Sequence, residues 1–312
     1  MTQSRTKFLV FVLLSFLLLG LIPIVDLMFG GGLMDFSGQA ARASERSGVV
    51  WTSNLFDIGR LALIEPGLWL LIFGSSVPLL AASLVILFSR EGSKLRNILD
   101  KINPFGRGEL TFPDVLRGYG LVVLACAVGL AGTAVVRFGI YGAGFTLPGV
   151  DQIVPLLPLA LFAALTDQGA LLEEGGWRGF ANPIAENSMS PLAAAVLVGL
   201  IWASWHLPRD ITGGVMNEMG LGMYWGQYFP SFTLSIVATS VIAVLGMKLT
   251  NGSLWPAVLA HGFVNDAMGL AGSADIETAL TIGYQLTKAV PFALVAITIV
   301  LMTGRSLGQK HD

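Results

Sequence analysis

A chain of 312 residues that is 54% apolar and only 12% charged, with a mean hydropathy of +0.73, is not an ordinary soluble domain, where about 25% of residues carry charge. A net charge of −2 gives a nucleic-acid backbone nothing to hold, so no nucleic-acid partner is expected. One cysteine, Cys126, excludes a disulfide framework and a cysteine metal cluster.

The composition predicts an all-α polytopic membrane protein of about eight transmembrane helices, a single integral membrane domain over residues 1–312. After Arg5 and Lys7, the run from Phe8 to Phe29 is apolar except for Asp26, and at about 22 residues it is long enough to span. A cleaved signal peptide is the rival reading, with a loose cleavage-like site at Ala40-Ala41-Arg42-Ala43. The apolar run exceeds a typical signal core, so a retained first helix is the expectation. Residues 30–65 read as a polar, glycine-containing loop, and Pro66 to Phe88 as the second span. The stretch 89–118 is the most basic, with Arg90, Lys94, Arg96, Lys101, Arg107 and Arg117. Such loops stay in the cytoplasm.

The third span is Leu121 to Val136, followed by a short loop ending at Pro148-Gly149-Val150-Asp151. The fourth helix is expected to run from about Val154 into the stretch 171–180 and on to about Asn182. The fifth begins at Pro191 and reaches His206. Residues 207–228 are rich in glycine, methionine and aromatics, and read as a loop with interfacial or re-entrant parts. Phe229 to Leu249 is the sixth span, Asn251-Gly252-Ser253 a tight turn, Trp255 to about Leu270 the seventh span and Leu286 to Met302 the eighth. Eight spans place both termini on one side. The basic stretch 89–118 makes that side the cytoplasm, with His311 in a tail. The plasma membrane is the expected location.

The fourth span carries Leu171-Leu172-Glu173-Glu174-Gly175-Gly176-Trp177-Arg178-Gly179-Phe180. At membrane depth each such charge costs roughly 2.5–3.5 kcal/mol on insertion scales, so it is expected to face a polar interior. On a helix Glu174 and Arg178 stand at i and i+4 and can pair, whereas Glu173 points about 100° away and is left for chemistry. The plain alternative is an ion pair that only fixes packing. Gly175 and Gly179 form a Gly-x-x-x-Gly that suits close approach of another helix.

Two further polar sets fall in apolar spans: Ile201-Trp202-Ala203-Ser204-Trp205-His206-Leu207-Pro208, and Leu259-Ala260-His261-Gly262-Phe263-Val264-Asn265-Asp266. His261 and Asn265 share a helical face. Counting inward from helix ends near Asn182, Pro191 and Gly252 places Glu173, His206 and His261 at depths of about 14, 22 and 14 Å. A cavity open to the cytoplasm is then expected to reach them. A carboxylate beside a neutral histidine can activate water, and a histidine with an asparagine amide can stabilise an oxyanion. Together they suit peptide-bond hydrolysis without a covalent intermediate. Ser204, two residues from His206, faces the wrong way for a serine triad, and His-Glu-x-x-His is absent. Glu173, His206 and His261 could instead hold Zn²⁺ with water in the fourth position; residue types alone leave both schemes open.

Glu173-Glu174-x-x-x-Arg178, the aromatic four residues before His206, and His261-x-x-x-Asn265 resemble the three motifs of the CPBP family. That family joins type II CAAX prenyl endopeptidases to bacteriocin-processing and immunity proteins, also called the ABI family. The resemblance covers roughly residues 150–271. Trp202 stands where the family pattern usually has Phe, a change expected to matter little. The resemblance implies an intramembrane endopeptidase in which Glu173 and His206 activate water and His261 and Asn265 form the oxyanion hole. It favours glutamate dependence with no required cofactor over a zinc site. The implied partners are the bilayer and a membrane-bound protein or peptide, with CAAX-type prenylated substrates among the candidates. Two other classes fit the same polar residues: a proton-coupled transporter and a non-catalytic immunity or scaffold protein.

Overall fold

The computed structural model describes residues 3–89, 98–106, 110–141, 149–212, 215–266 and 282–309, and among them it is helical, with one isolated antiparallel bridge between Asn54 and Asp167. Arg90, Lys94, Arg96, Arg107, Pro148, Lys310, His311 and the expected end of the seventh span near Leu270 lie outside the described residues.

The first apolar run forms α1 (Gln3–Leu19) and α2 (Leu21–Met28), joined through Gly20. The stretch expected to be a loop, 30–65, instead contains α3 (Phe36–Ser47) and α4 (Leu55–Ala62). The reason is local. The Asp35 side chain accepts from Gly38 N at 2.9 Å and the Asn54 side chain from Phe56 N at 2.8 Å. Each satisfies an amide that the first helical turn leaves unpaired. Gly48 at φ +71° ends α3. Ala40, Ala43, Leu61 and Ala62 then pack on Leu68.

α5 (Leu68–Phe88) and α6 (Phe112–Tyr141) follow. The fourth helix is not continuous. α7 (Val150–Thr166) stops, and α8 (Gln168–Gly176) starts anew after Asp167. Asp167 leaves helical geometry (φ −53°, ψ 127°) and its carboxylate accepts from Ala170 N at 2.6 Å. A buried helix start needs such a cap. α8 then widens into a π turn at Trp177–Ala181 and ends as α9 (Asn182–Glu186).

Ser190 and Pro191 start α10 (Pro191–Trp205). The stretch expected to be loop, 207–228, is mostly helical: α11 (Leu207–Thr212), α12 (Val215–Met219), α13 (Leu221–Met223) and a π turn at Tyr224–Tyr228. α14 (Phe229–Leu249), α15 (Trp255–Asp266) and α16 (Ile282–Thr303) complete the bundle. Among the described residues six helices are long and apolar enough to cross a membrane, and Leu156–Thr166 is a shorter apolar one. Leu13, Leu17, Leu87, Phe88 and Leu301 are all well exposed on these helices. An apolar surface of that kind suits lipid, not water. The protein is a polytopic all-α membrane protein.

Two close approaches position the site. A Cβ on Gly176 would lie 2.3 Å from the Pro78 carbonyl carbon, and one on Gly175 2.9 Å from Leu79. So α8 lies against α5 through Gly175 and Gly176, while Gly179 makes only ordinary contacts. A Cβ on Gly262 would lie 2.0 Å from Ala164 O, which fixes the crossing of α15 and α7.

Candidate active site

The break at Asp167 shapes the site. Residues 51–54, between α3 and α4, run past it: Gln168 N donates to Ser53 O at 2.8 Å, and Asn54 Nδ2 donates to Thr166 Oγ1 at 2.8 Å. The Ser53 hydroxyl also donates to Asp266 at the end of α15. Asp167 Oδ1 accepts from Asn265 Nδ2 at 3.2 Å. A carboxylate accepts and does not donate, so this contact fixes which end of the Asn265 amide faces it and leaves one Nδ2 hydrogen for another partner.

Glu173 and Glu174, adjacent in sequence, are held differently. Glu174 Oε1 accepts from Arg178 Nη1 and lies beside His261 Nδ1, each at 2.9 Å. The Arg178 guanidinium also stacks on Trp202, 4.3 Å from the ring centre. Glu173 Oε2 accepts from Trp202 Nε1 at 2.7 Å. His206 Nδ1 lies 2.8 Å from the Trp202 carbonyl oxygen. That oxygen can only accept, so in the neutral ring Nδ1 carries the proton and Nε2 carries the lone pair. The Trp202 and His261 rings meet edge to face, with centroids 4.7 Å apart.

Glu173, His206, His261 and Asn265 thus come from α8, the C-terminal end of α10, and α15, and all four line one cavity of about 470 Å³, together with Asp167 and Asp266. Gly169 keeps its centre open. A Cβ there would lie 3.3 Å from Asp167 Oδ1, 3.4 Å from Glu173 Oε1 and 3.6 Å from Asn265 Nδ2. Glu174 and Arg178 sit beneath this space and do not line it. Leu19, Ile22, Leu70 and Phe232 supply apolar walls, and Trp51 and Arg209 lie exposed at the mouth.

Three features differ from the reading of the sequence. Trp202 is not a neutral replacement for Phe, because its indole N–H is the donor to Glu173, which Phe lacks. Asp167 and Asp266 also line the cavity, and the sequence reading gives neither a role, although an aspartate at membrane depth is itself a signal. The cavity also lies nearer the opposite end of the bundle from the one counted inward, because α8 begins only five residues before Glu173 and α10 ends at Trp205.

The candidate zinc ligands do not form a set. Among the described residues no three His, Cys, Asp or Glu side chains are grouped to hold a metal ion. One polar atom each of Glu173, His206 and His261 is already committed to Trp202 or Glu174.

Residues 151–267 match the family model described as Type II CAAX prenyl endopeptidase Rce1-like. The chain is also 26% identical over 171 residues to a protein of Methanococcus maripaludis named CAAX prenyl protease 2, an alignment over 54% of this chain and 57% of that relative. The matched segment carries Asp167, both glutamates, Arg178, His206, His261 and Asn265.

Proposed function

We propose, for a chain that belongs to the CPBP family of CAAX-protease-like membrane proteins, that it is an intramembrane endopeptidase acting through water activated by Glu173 and His206. The observation that carries this reading is the meeting of Glu173, His206, His261 and Asn265 on one cavity. Glu173 Oε1 faces the space at Gly169, where a water can be deprotonated. His206 Nε2 carries a lone pair and can accept or relay that proton. As the carbonyl is attacked, the second Nδ2 hydrogen of Asn265 donates to the oxyanion, held in place by Asp167. His261 gives Nδ1–H to Glu174, so it donates from Nε2 only as the doubly protonated ring, with Glu174 as its counter-charge.

The substrate is a membrane-associated protein or peptide whose apolar part lies along the Leu19, Ile22, Leu70 and Phe232 walls. The name of the Methanococcus relative makes CAAX-type prenylated termini the first class to try. The test is cleavage of such peptides by the purified chain in detergent. Asn265→Ala is expected to lose about 10²–10³ in turnover, the usual cost of one oxyanion donor, and to keep measurable activity. Activity is expected to persist in excess EDTA. No cleavage by well-folded protein, together with proton-coupled flux in proteoliposomes, would replace this reading with transport.

A further inference from the structure

A further cavity, of about 380 Å³, lies toward the other end of α14. Phe232 and Ile236, near the start of α14, border the candidate active site; Met247 and Lys248, near its end, border this one. From Phe232 to Lys248 the helix rises about 24 Å. Asn251, exposed on the α14–α15 turn, lies on its edge.

The wall of this cavity is rich in buried donors. Arg178 is fully buried, and its Nη1 donates to Glu174 Oε1, while Nε and Nη2 have no partner among the described residues. Asn182, four residues on, is also buried, and neither its Nδ2 nor its Oδ1 has a partner there. A buried N–H with no acceptor costs the desolvation of that group and gains nothing in return. Such groups in native proteins are few, and each calls for an explanation. A guanidinium fork closed on both Glu174 oxygens would satisfy Nη2, yet leave Nε and Asn182 as they are. The charged lining has the same sign. Lys101 Nζ donates to Gly179 O at 2.7 Å, and Lys248 pairs with Glu186, the carboxylate on this wall among the described residues.

Donors grouped in this way suit a ligand that carries several acceptor oxygens. A guanidinium binds phosphate oxygens in a fork, and Asn182 Nδ2 is left to donate to a further oxygen. Asn182 Oδ1 can accept from a hydroxyl, which a protonated phosphate or a glycerol headgroup carries. We propose that this cavity binds a phosphate group, free or at the head of an anionic membrane lipid, through Arg178 and Asn182. Filling it braces Arg178, which holds Glu174 and through it the ring of His261. The binding itself does not rest on the proposed protease activity.

Thermal unfolding of the purified full chain, in lipid-free detergent and phosphate-free buffer, tests this. The probes are inorganic phosphate, and phosphatidylglycerol set against diacylglycerol of the same acyl chains. A ligand of the folded state raises the midpoint with its concentration. A rise that follows a saturable binding curve is expected with phosphate or phosphatidylglycerol, and none with diacylglycerol. Inorganic phosphate alone would identify a free anion, and phosphatidylglycerol alone a lipid headgroup. Asn182→Asp sets a carboxylate beside Arg178 and repels the probe, so the same shift should need about tenfold more ligand or more. Should that variant fold poorly, Asn182→Leu, which lacks the donor, takes its place with the same expectation. Arg60→Ala removes the same net charge from an exposed position on α4 and should bind as the parent does. No such rise in the parent with either probe, an equal rise with diacylglycerol, or unchanged binding by the Asn182 variants would overturn the site. Binding by a chain that cleaves nothing would remove the protease reading and leave this site standing; cleavage without binding would do the opposite.

Discussion

The two ends of this bundle are built for different tasks. At the end formed by residues 98–106 and the α14–α15 turn, backbone meets backbone. Gly106 lies so close to Thr250 that a Cβ would stand 1.8 Å from its carbonyl oxygen, and Leu254 N donates to Lys101 O at 2.8 Å. Asn251 and Gly252 turn the chain with positive φ. At the cavity end α7 stops at Thr166 and α10 gives way to α11 after Trp205, and side chains take over the hydrogen bonding. One end is closed by main-chain contacts; the other spends helix continuity to bring polar groups together. Substitutions at the closed end should therefore change stability, and those at the cavity should change turnover.

The largest expected effect lies where the two ends join. Arg178→Ala leaves Glu174 as a buried charge without its cation, which typically costs about 3–5 kcal/mol. Thermal unfolding and folded yield in detergent would read this; a variant as stable as the parent would blur the division. Next is Trp202→Phe. It keeps the ring under Arg178 but removes the donor to Glu173. Hydrogen bonds to charged groups contribute about 1.5–3 kcal/mol, so kcat/KM should fall roughly tenfold or more. Unchanged kinetics would show that the bond does not hold Glu173 for reaction. Gly106→Ala sharpens the other side of the comparison. At φ +71° against Thr250, it should lose about 1–3 kcal/mol of stability while turnover per folded molecule stays constant.

Much of this was legible in the residues. Apolar length gave the spans, and Phe229–Leu249 has the bounds expected of it. The i,i+4 spacing anticipated that Arg178 and Glu174 would meet. The break at Asp167 was only faintly legible: Thr166-Asp167-Gln168-Gly169 interrupts an apolar run, but a cap is a matter of one side chain turning back on its own backbone. The two helices within 30–65 were signalled only by Asp35 and Asn54, against a polar background that reads as loop. The depth count failed for the same reason as the fourth helix: it assumed straight helices running from end to end. The importance of Trp202 could not be read from its being aromatic, since its role depends on where one N–H points.

The most direct test of the account is Glu173→Gln. Glutamine keeps the shape, and its carbonyl can still accept from Trp202 Nε1, so the fold and thermal midpoint should hold. What is lost is the base. With protein matched for folded fraction, single-turnover cleavage is expected to fall by about 10²–10⁴ or more. Turnover within a few-fold of the parent would contradict the assignment of Glu173 as the group that activates water.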